Sequence, residues 1–535
     1  MSNGTASGTE TDSRSLPRPS RKIRWWPGLL IIGAALVGGL WIHFWEDTHQ
    51  QGRNLQTICL GLASILLLII WCLCFSRFRW RIRLIVMAGF IGTLGAATLS
   101  LTMRGVTGDL LPILEWRWHR YQPQPLPMQE AMSVKPALSV EAGPSAGAPD
   151  GYPQFLGPNR NATLSGPTLA RDWTSRPPQQ IWRRGIGAGW SGFAVTRGSA
   201  VTQEQDGPRE KVVCYDALSG RLIWSYCDVE RFFKTIAGEG PRATPTIDGD
   251  RVYTLGATGI LNCLDLPTGR LIWARNIIQD NRSRVPEWGL SGSPLIVDDL
   301  VVVSAGGSDG RSFVAYDKRD GQFVWGGGSD AASYSSPVIC SIAGTRQVLM
   351  FNASLIAAHD PGSGQLLWQY PWSAAQAHVA VPVMLPGDRV LVTSGYGTGS
   401  EAVQIKSDAT GNWTASRVWK SNRLKAKFTN VVYHEGSIYG LDDGIMVCID
   451  AATGEQKWKN GRYGHGQNIL VGKLLLVMAE SGEIVLVEPV PQELRELARF
   501  RAFNTKTWNP PALAGELLFV RNDREAACFR LPVEK

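Results

Sequence analysis

The sequence predicts an all-β chain, an eight-bladed β-propeller, preceded by three transmembrane α-helices. Three observations point there. An Asp–Gly–Trp unit recurs at intervals of about 40 to 50 residues, the period of a four-stranded blade. The 535-residue chain holds 58 Gly and 21 Trp, an excess of turn formers and large aromatic anchors. Near the N-terminus, three long apolar runs contain no Asp, Glu, Lys or Arg.

Those runs are residues 28–45, 57–75 and 84–103, each about the length that crosses the hydrocarbon core as a helix. Arg14, Arg18, Arg21, Lys22 and Arg24 precede the first run, and Arg77, Arg79, Arg81 and Arg83 fill the second loop. The first loop has a single Arg against Glu46 and Asp47. By the positive-inside rule, a basic tail (1–27) stays in the cytoplasm, a membrane module (28–103) crosses three times, and the rest lies outside. The expected location is the cytoplasmic membrane of a bacterium, with the propeller on the periplasmic side.

The net charge of +8 does not mark a nucleic-acid surface. Residues 1–120 hold 13 of the 54 Lys+Arg and 6 of the 46 Asp+Glu, which leaves the remainder nearly balanced at 41 against 40. Residues 104–151, rich in Pro and Ala, read as a linker, and 152–535 as the propeller domain.

The unit is clearest in VVCYDALSGRLIW (212–224). Asp216, Gly220 and Trp224 recur as Asp265, Gly269 and Trp273; Asp317, Gly321 and Trp325; Asp360, Gly364 and Trp368; and Asp450, Gly454 and Trp458. Weaker copies at 408, 488 and 528 bring the penultimate strands to eight. The last copy lacks its Gly–Trp strand, and an orphan strand around Trp182 stands ready to supply it, closing a ring from about 178 to 532. The Asp side chain accepts turn N–H groups, the Gly takes the positive φ, and the Trp packs between blades.

This unit resembles the tryptophan-docking repeat of quinoprotein-like propellers. That group includes pyrroloquinoline quinone (PQQ)-dependent dehydrogenases and BamB, a non-enzymatic lipoprotein of outer-membrane β-barrel assembly. YPQFLGPNRNATLSG (152–166) is similar to the lead-in of PQQ-like propellers of bacterial surface and periplasmic proteins. The resemblance implies the fold and leaves two functions open. A dehydrogenase of this kind implies PQQ with Ca²⁺, a vicinal Cys pair over the cofactor and a carboxylate base. The chain has no Cys-Cys, and its units lack long insertions.

Of nine cysteines, Cys59, Cys72 and Cys74 lie in apolar runs, and Cys214, Cys263, Cys448 and Cys528 occupy a slot that Ala315 and Ala358 fill elsewhere. They read as packing residues. No C-x-x-C or H-E-x-x-H spacing is present, and GYGTGS (395–400) precedes no helix and reads as an inter-strand turn. The residues entering each first strand are Trp190, Arg242, Trp288, Tyr334, His378, Lys427, Gln467 and Trp508. They should border the central channel, where aromatic and cationic groups suit a peptide, glycan or aromatic ligand. The expectation is a non-enzymatic binding or scaffold module, without catalytic residue, metal or cofactor, whose partners are the membrane and envelope proteins or peptides in envelope protein assembly. The alternative is a PQQ/Ca-dependent dehydrogenase of sugars or alcohols coupled to membrane quinone.

Overall fold

The computed structural model describes residues 24–44, 50–118, 151–372 and 377–534. The N-terminal tail to residue 23 and the linker from 119 to 150 lie outside the described residues.

The chain divides into two compact units. The first contains three helices, α1 (Trp26–Phe44), α2 (Gln50–Ile70, extended by a wider turn to Phe75) and α3 (Trp80–Ser100). All three are long and apolar enough to cross a membrane. Their large side chains face outward, Leu30, Trp41, Leu62 and Ile85 among them, which is the inverse of a water-soluble bundle.

The second unit is the predicted propeller. Eight antiparallel sheets follow one another; we number the blades 1 to 8 by their first strands, which begin at Ala194, Thr246, Leu295, Val338, Val383, Val432, Gln467 and Ala512. Strand order within each blade follows the chain, except that Gln179–Gly185 completes blade 8 by pairing with Glu525–Arg530, Trp182 opposite Cys528. The orphan strand therefore closes the ring as expected, and no strand edge is left at the seam.

The repeat residues do what their spacing implies. Each turn glycine donates its N–H to the Asp carbonyl, as in Gly220 to Asp216 at 2.9 Å and Gly269 to Asp265 at 2.8 Å. The Asp216 carboxylate accepts from the Ser219 N–H at 2.8 Å and the Ser219 hydroxyl at 2.7 Å. Each indole lies on the turn of the next blade. Trp182 covers Gly220, Trp224 covers Gly269, Trp273 covers Gly321 and Trp325 covers Gly364. Its N–H then donates to the carbonyl just after the neighbour's Asp: Trp182 to Ala217 at 2.9 Å, Trp224 to Leu266 at 2.7 Å and Trp325 to Pro361 at 3.0 Å. Trp368 instead donates to Gln347 Oε1 at 2.7 Å.

The cysteine slot is the position cross-strand from that Trp, Cys214 opposite Trp224 and Cys448 opposite Trp458. Wherever a Trp stands opposite, the slot holds Ala or Cys; in blade 7, where Ala498 replaces the Trp, it holds Leu486. Burial pushes the thiols of Cys214 and Cys528 up to about 12, far from nucleophilic.

Residues 151–170 pack against the first strands of several blades. Thr163–Leu164 adds a parallel strand to blade 7 beside Leu470 and Val471. Arg160, fully buried, donates to the carbonyls of Pro294 at 2.7 Å and Ser293 at 2.8 Å.

The stretch expected to begin a linker is structured. Leu101–Val106 and Pro112–Trp116 form a two-stranded hairpin, and its tip, residues 103–114, belongs to the propeller unit. The Thr107–Leu110 turn is set by Leu110 N–H to Thr107 O and Thr107 N–H to Leu111 O, both 2.9 Å.

Candidate functional site

The hairpin tip approaches the propeller at the loops leading into the first strands. The first strand of blade 7 runs from Gln467, on this side, to Val471, where Thr163–Leu164 pairs.

Around the tip, propeller side chains meet main-chain groups one by one. Lys506 Nζ donates to Val106 O at 3.0 Å. The Gly108 N–H donates to Glu480 Oε1 at 2.7 Å, and Lys427 Nζ stands 3.4 Å from Gly108 O. The Asp109 carboxylate lies 2.9 Å from His465 Nε2 and 3.7 Å from the Arg462 guanidinium. Farther along the strand, Arg104 pairs with Asp523 at 2.5 Å. A Cβ at Gly108 would stand 2.1 Å from His465 Cδ2, so the turn admits no side chain there.

The pocket's own side chains are held in place. The Glu480 carboxylate also accepts from Trp508 Nε1 at 2.9 Å and from the His465 N–H at 2.9 Å. Gln467 donates to the carbonyls of Phe428 at 2.7 Å and Trp508 at 3.2 Å. Lys506 Nζ sits 3.9 Å from the Trp508 ring centroid and 4.8 Å from that of Trp190, cation–π distances in a site shielded from water. Burial pulls the Lys506 ammonium down to about 8. Lys427 is fully buried, and burial also lowers it, against the opposing charges of Asp443, Asp109 and Glu480. Burial acts to raise the Asp109 carboxyl, but the His465 bond and the nearby cations outweigh it and hold the group below the usual carboxylate range.

Of the eight positions expected at the channel, the structure brings Trp190, Lys427, Gln467 and Trp508 together in this pocket. The Trp190 and Trp508 ring centroids are 4.9 Å apart. Arg242, Trp288 and Tyr334 make their contacts elsewhere. Arg242 is consumed locally, donating to the carbonyls of Gly240, Ala237 and Gly238 and covering Phe232 at 4.5 Å. The Trp288 N–H donates to the Tyr334 hydroxyl at 3.2 Å. His378 is fully buried and stacks on Phe351 at 4.3 Å, a core residue in place of a rim residue. His465, Glu480, Lys506 and the tip residues Gly108 and Asp109 were not expected from sequence. The Thr-Gly-Asp turn flanked by apolar strands is the signal that could have found them.

Fold and funnel together define a tryptophan-docked, PQQ-like repeat propeller behind three apolar helices. The family model described as outer membrane protein assembly factor BamB matches residues 175–276 and 208–460, together more than half of the chain. The chain belongs to that family.

Among curated proteins it is similar to quinohemoprotein alcohol dehydrogenase ADH IIB of Pseudomonas putida, 30% identical over 146 residues, 26% of this chain and 21% of that protein. The chain thus spans about a fifth of that relative's length. Among solved structures, BamB from Moraxella catarrhalis superposes with a TM-score of 0.48 at 17% identity, covering 67% of this chain and 99% of that one. Quinohemoprotein alcohol dehydrogenase from Comamonas testosteroni gives 0.41 at 11%, covering 72% and 81%.

The similarity to quinone-dependent alcohol dehydrogenases overturns the expectation that the chain has no cofactor, because the curated relatives are named for a quinone, two of them also for a haem. The funnel residues suit the two halves of a quinone–calcium pair unequally. Among the described residues, no three His, Cys, Asp or Glu side chains converge to hold a metal ion. For an anionic aromatic quinone, Lys506 and the indoles of Trp508 and Trp190 are of the right kind, but the Val106 carbonyl already engages that ammonium. The pair as a whole does not fit these residues, and no chemical step follows from them.

Proposed function

We propose that this protein is a multi-pass anchor in the bacterial cytoplasmic membrane, N-terminus inside, with an extracytoplasmic propeller that binds polypeptide partners as a scaffold in envelope protein assembly. The observation that carries the reading is the funnel pocket. Its side chains grip a polypeptide through its backbone, accepting the Gly108 N–H and donating to Val106 and Gly108 carbonyls. Main-chain recognition of this kind suits a protein ligand better than a small alcohol. Membership in a family described by outer-membrane protein assembly supports the envelope setting, and the arginines of the second loop support the orientation.

The test is photo-crosslinking in living cells from a probe at Trp288, on the funnel, against one at Val418, on an outer strand. Discrete crosslinks to envelope proteins from the funnel position alone are expected; identical patterns from both would end the scaffold reading. Alkaline phosphatase fused after residue 150 should be active, and after residue 80 silent.

A second reading, a quinone-dependent alcohol dehydrogenase, is favoured by the 30% identity over 146 residues. Turnover of an alcohol with an artificial acceptor, after supplying PQQ and Ca²⁺, would establish it instead.

A further inference from the structure

The pocket around the hairpin tip is built for more than the tip uses. Gln467 Oε1 and Asp443 Oδ1 are buried acceptors without a hydrogen-bond partner among the described residues. Asp443 stands 3.8 Å from Lys427 Nζ, and Gln467 bonds the Trp508 carbonyl, so both adjoin the groups that hold the tip. Leaving such acceptors without a donor is unfavourable. The contacts that are made run from side chains of the propeller to consecutive main-chain groups of an extended strand and turn, ending on one carboxylate among Lys427, His465 and Arg462. This is how a protein recognises a peptide, and here the peptide is part of the same chain.

We propose that Lys427, His465, Glu480, Lys506 and Arg462 form a binding site for a Gly-Asp-type β-turn of another polypeptide, and that the chain's own Thr107–Leu110 turn occupies it as an internal competitor. The inference rests on the scaffold reading and names its ligand: a turn with glycine where His465 leaves no space for a Cβ, and a carboxylate next. A partner that also offers an N–H or O–H to Gln467 or Asp443 makes bonds the internal turn leaves unmade, and so displaces it. The tip, only a few residues from the end of α3, is present at an effective concentration of order millimolar. If the internal turn binds with micromolar intrinsic affinity, a competing peptide is held off by about 100- to 1,000-fold in the closed chain.

The experiment uses full-length protein in detergent micelles and a fluorescein-labelled peptide of the tip, RGVTGDLLPI, read by fluorescence anisotropy. Gly108→Val, which drives a side chain into His465, and Asp109→Arg, which sets a cation against Lys427 and Arg462, each open the site by a different route. Either variant should bind the peptide at least 10-fold more tightly than the unmodified chain. The RGVTGNLLPI peptide, lacking the carboxylate, and Glu480→Gln in the Gly108→Val background should each lose at least 10-fold. Equal binding to opened and unmodified chains, no binding to any, or collapse of thermal unfolding in both variants would overturn the proposal, the last by making the tip a structural strap. If funnel crosslinks to envelope proteins persist while the peptide result is negative, the proposal fails and the scaffold reading stands. Peptide binding without any envelope crosslink gives the reverse.

Discussion

The contact between Trp224 and Gly269 lends itself to a double-mutant cycle, because the structure assigns glycine two separable jobs there. Gly269 has φ of +70°, and a Cβ built on it would lie 2.5 Å from Trp224 Cδ2. Gly269→Ala should therefore cost about 1 kcal/mol net for the left-handed backbone, after the gain from a less flexible unfolded chain. Overpacking against the indole adds about 1–3 kcal/mol. Trp224→Ala removes a ring that is only 8% exposed and strands the Leu266 carbonyl, for about 3–5 kcal/mol. In the double mutant the clash vanishes and only the backbone cost of alanine remains. The two substitutions should then be sub-additive by about 1–3 kcal/mol. Urea unfolding of all four proteins, followed by circular dichroism at constant m-value, measures this. A coupling below about 0.5 kcal/mol would refute the idea that the turn glycine is required by the neighbouring blade's indole.

Other consequences are testable in the same protein. Burial pushes the Glu210 carboxyl up to about 7 from an ordinary 4.5, so the folded state binds this proton more tightly than the unfolded one. Its contribution is fully present below pH 4.5 and is lost as pH rises to 7, about 3 kcal/mol at most. Glu210→Gln should flatten the fall of Tm across that window, and an unchanged slope would contradict the assignment. Arg521, fully buried, ties blade 8 to blade 1 by donating to Thr202 Oγ1 at 2.8 Å, Gln203 O at 2.6 Å and Gly187 O at 3.0 Å. Arg521→Met should destabilise by about 2–4 kcal/mol and bring early proteolysis near residue 179, where the closing strand begins. Among propeller cysteines, exposed Cys227 should react with a maleimide first, while Cys214, Cys263, Cys448 and Cys528 stay unlabelled until unfolding. Labelling of Cys214 in the native state would contradict its place opposite Trp224.

The ring was legible because its grammar is local. Asp, Gly and Trp sit within nine residues, so each copy announces a turn, a left-handed step and an anchor without reference to distant chain. Even closure could be read, since Trp182 carried an anchor without a hairpin. The pocket was not legible, because its pairs are remote: Gly108 meets Glu480, and Asp109 meets His465, across more than 350 residues. Nor does equivalence of position imply equivalence of orientation. Lys427 and His378 lead into neighbouring blades at matching points, yet one meets the tip and the other turns inward onto Phe351. The cofactor expectation failed for another reason: missing motifs say what one enzyme lineage lacks, and a 30% identity over 146 residues does not depend on those motifs.

The seam of blade 8 also sets an order of events during synthesis. Gln179–Gly185 emerges before any blade, but its partner Glu525–Arg530 is made about 340 residues later. At roughly 5–20 residues per second, that strand waits about 20–70 s with its hydrogen-bonding edge unmatched. Throughout that interval seven blades can assemble into an open arc, whose two ends are each able to recruit a foreign strand. Stalling before residue 525 leaves a product whose first strand lacks its partner, an edge open to a foreign strand.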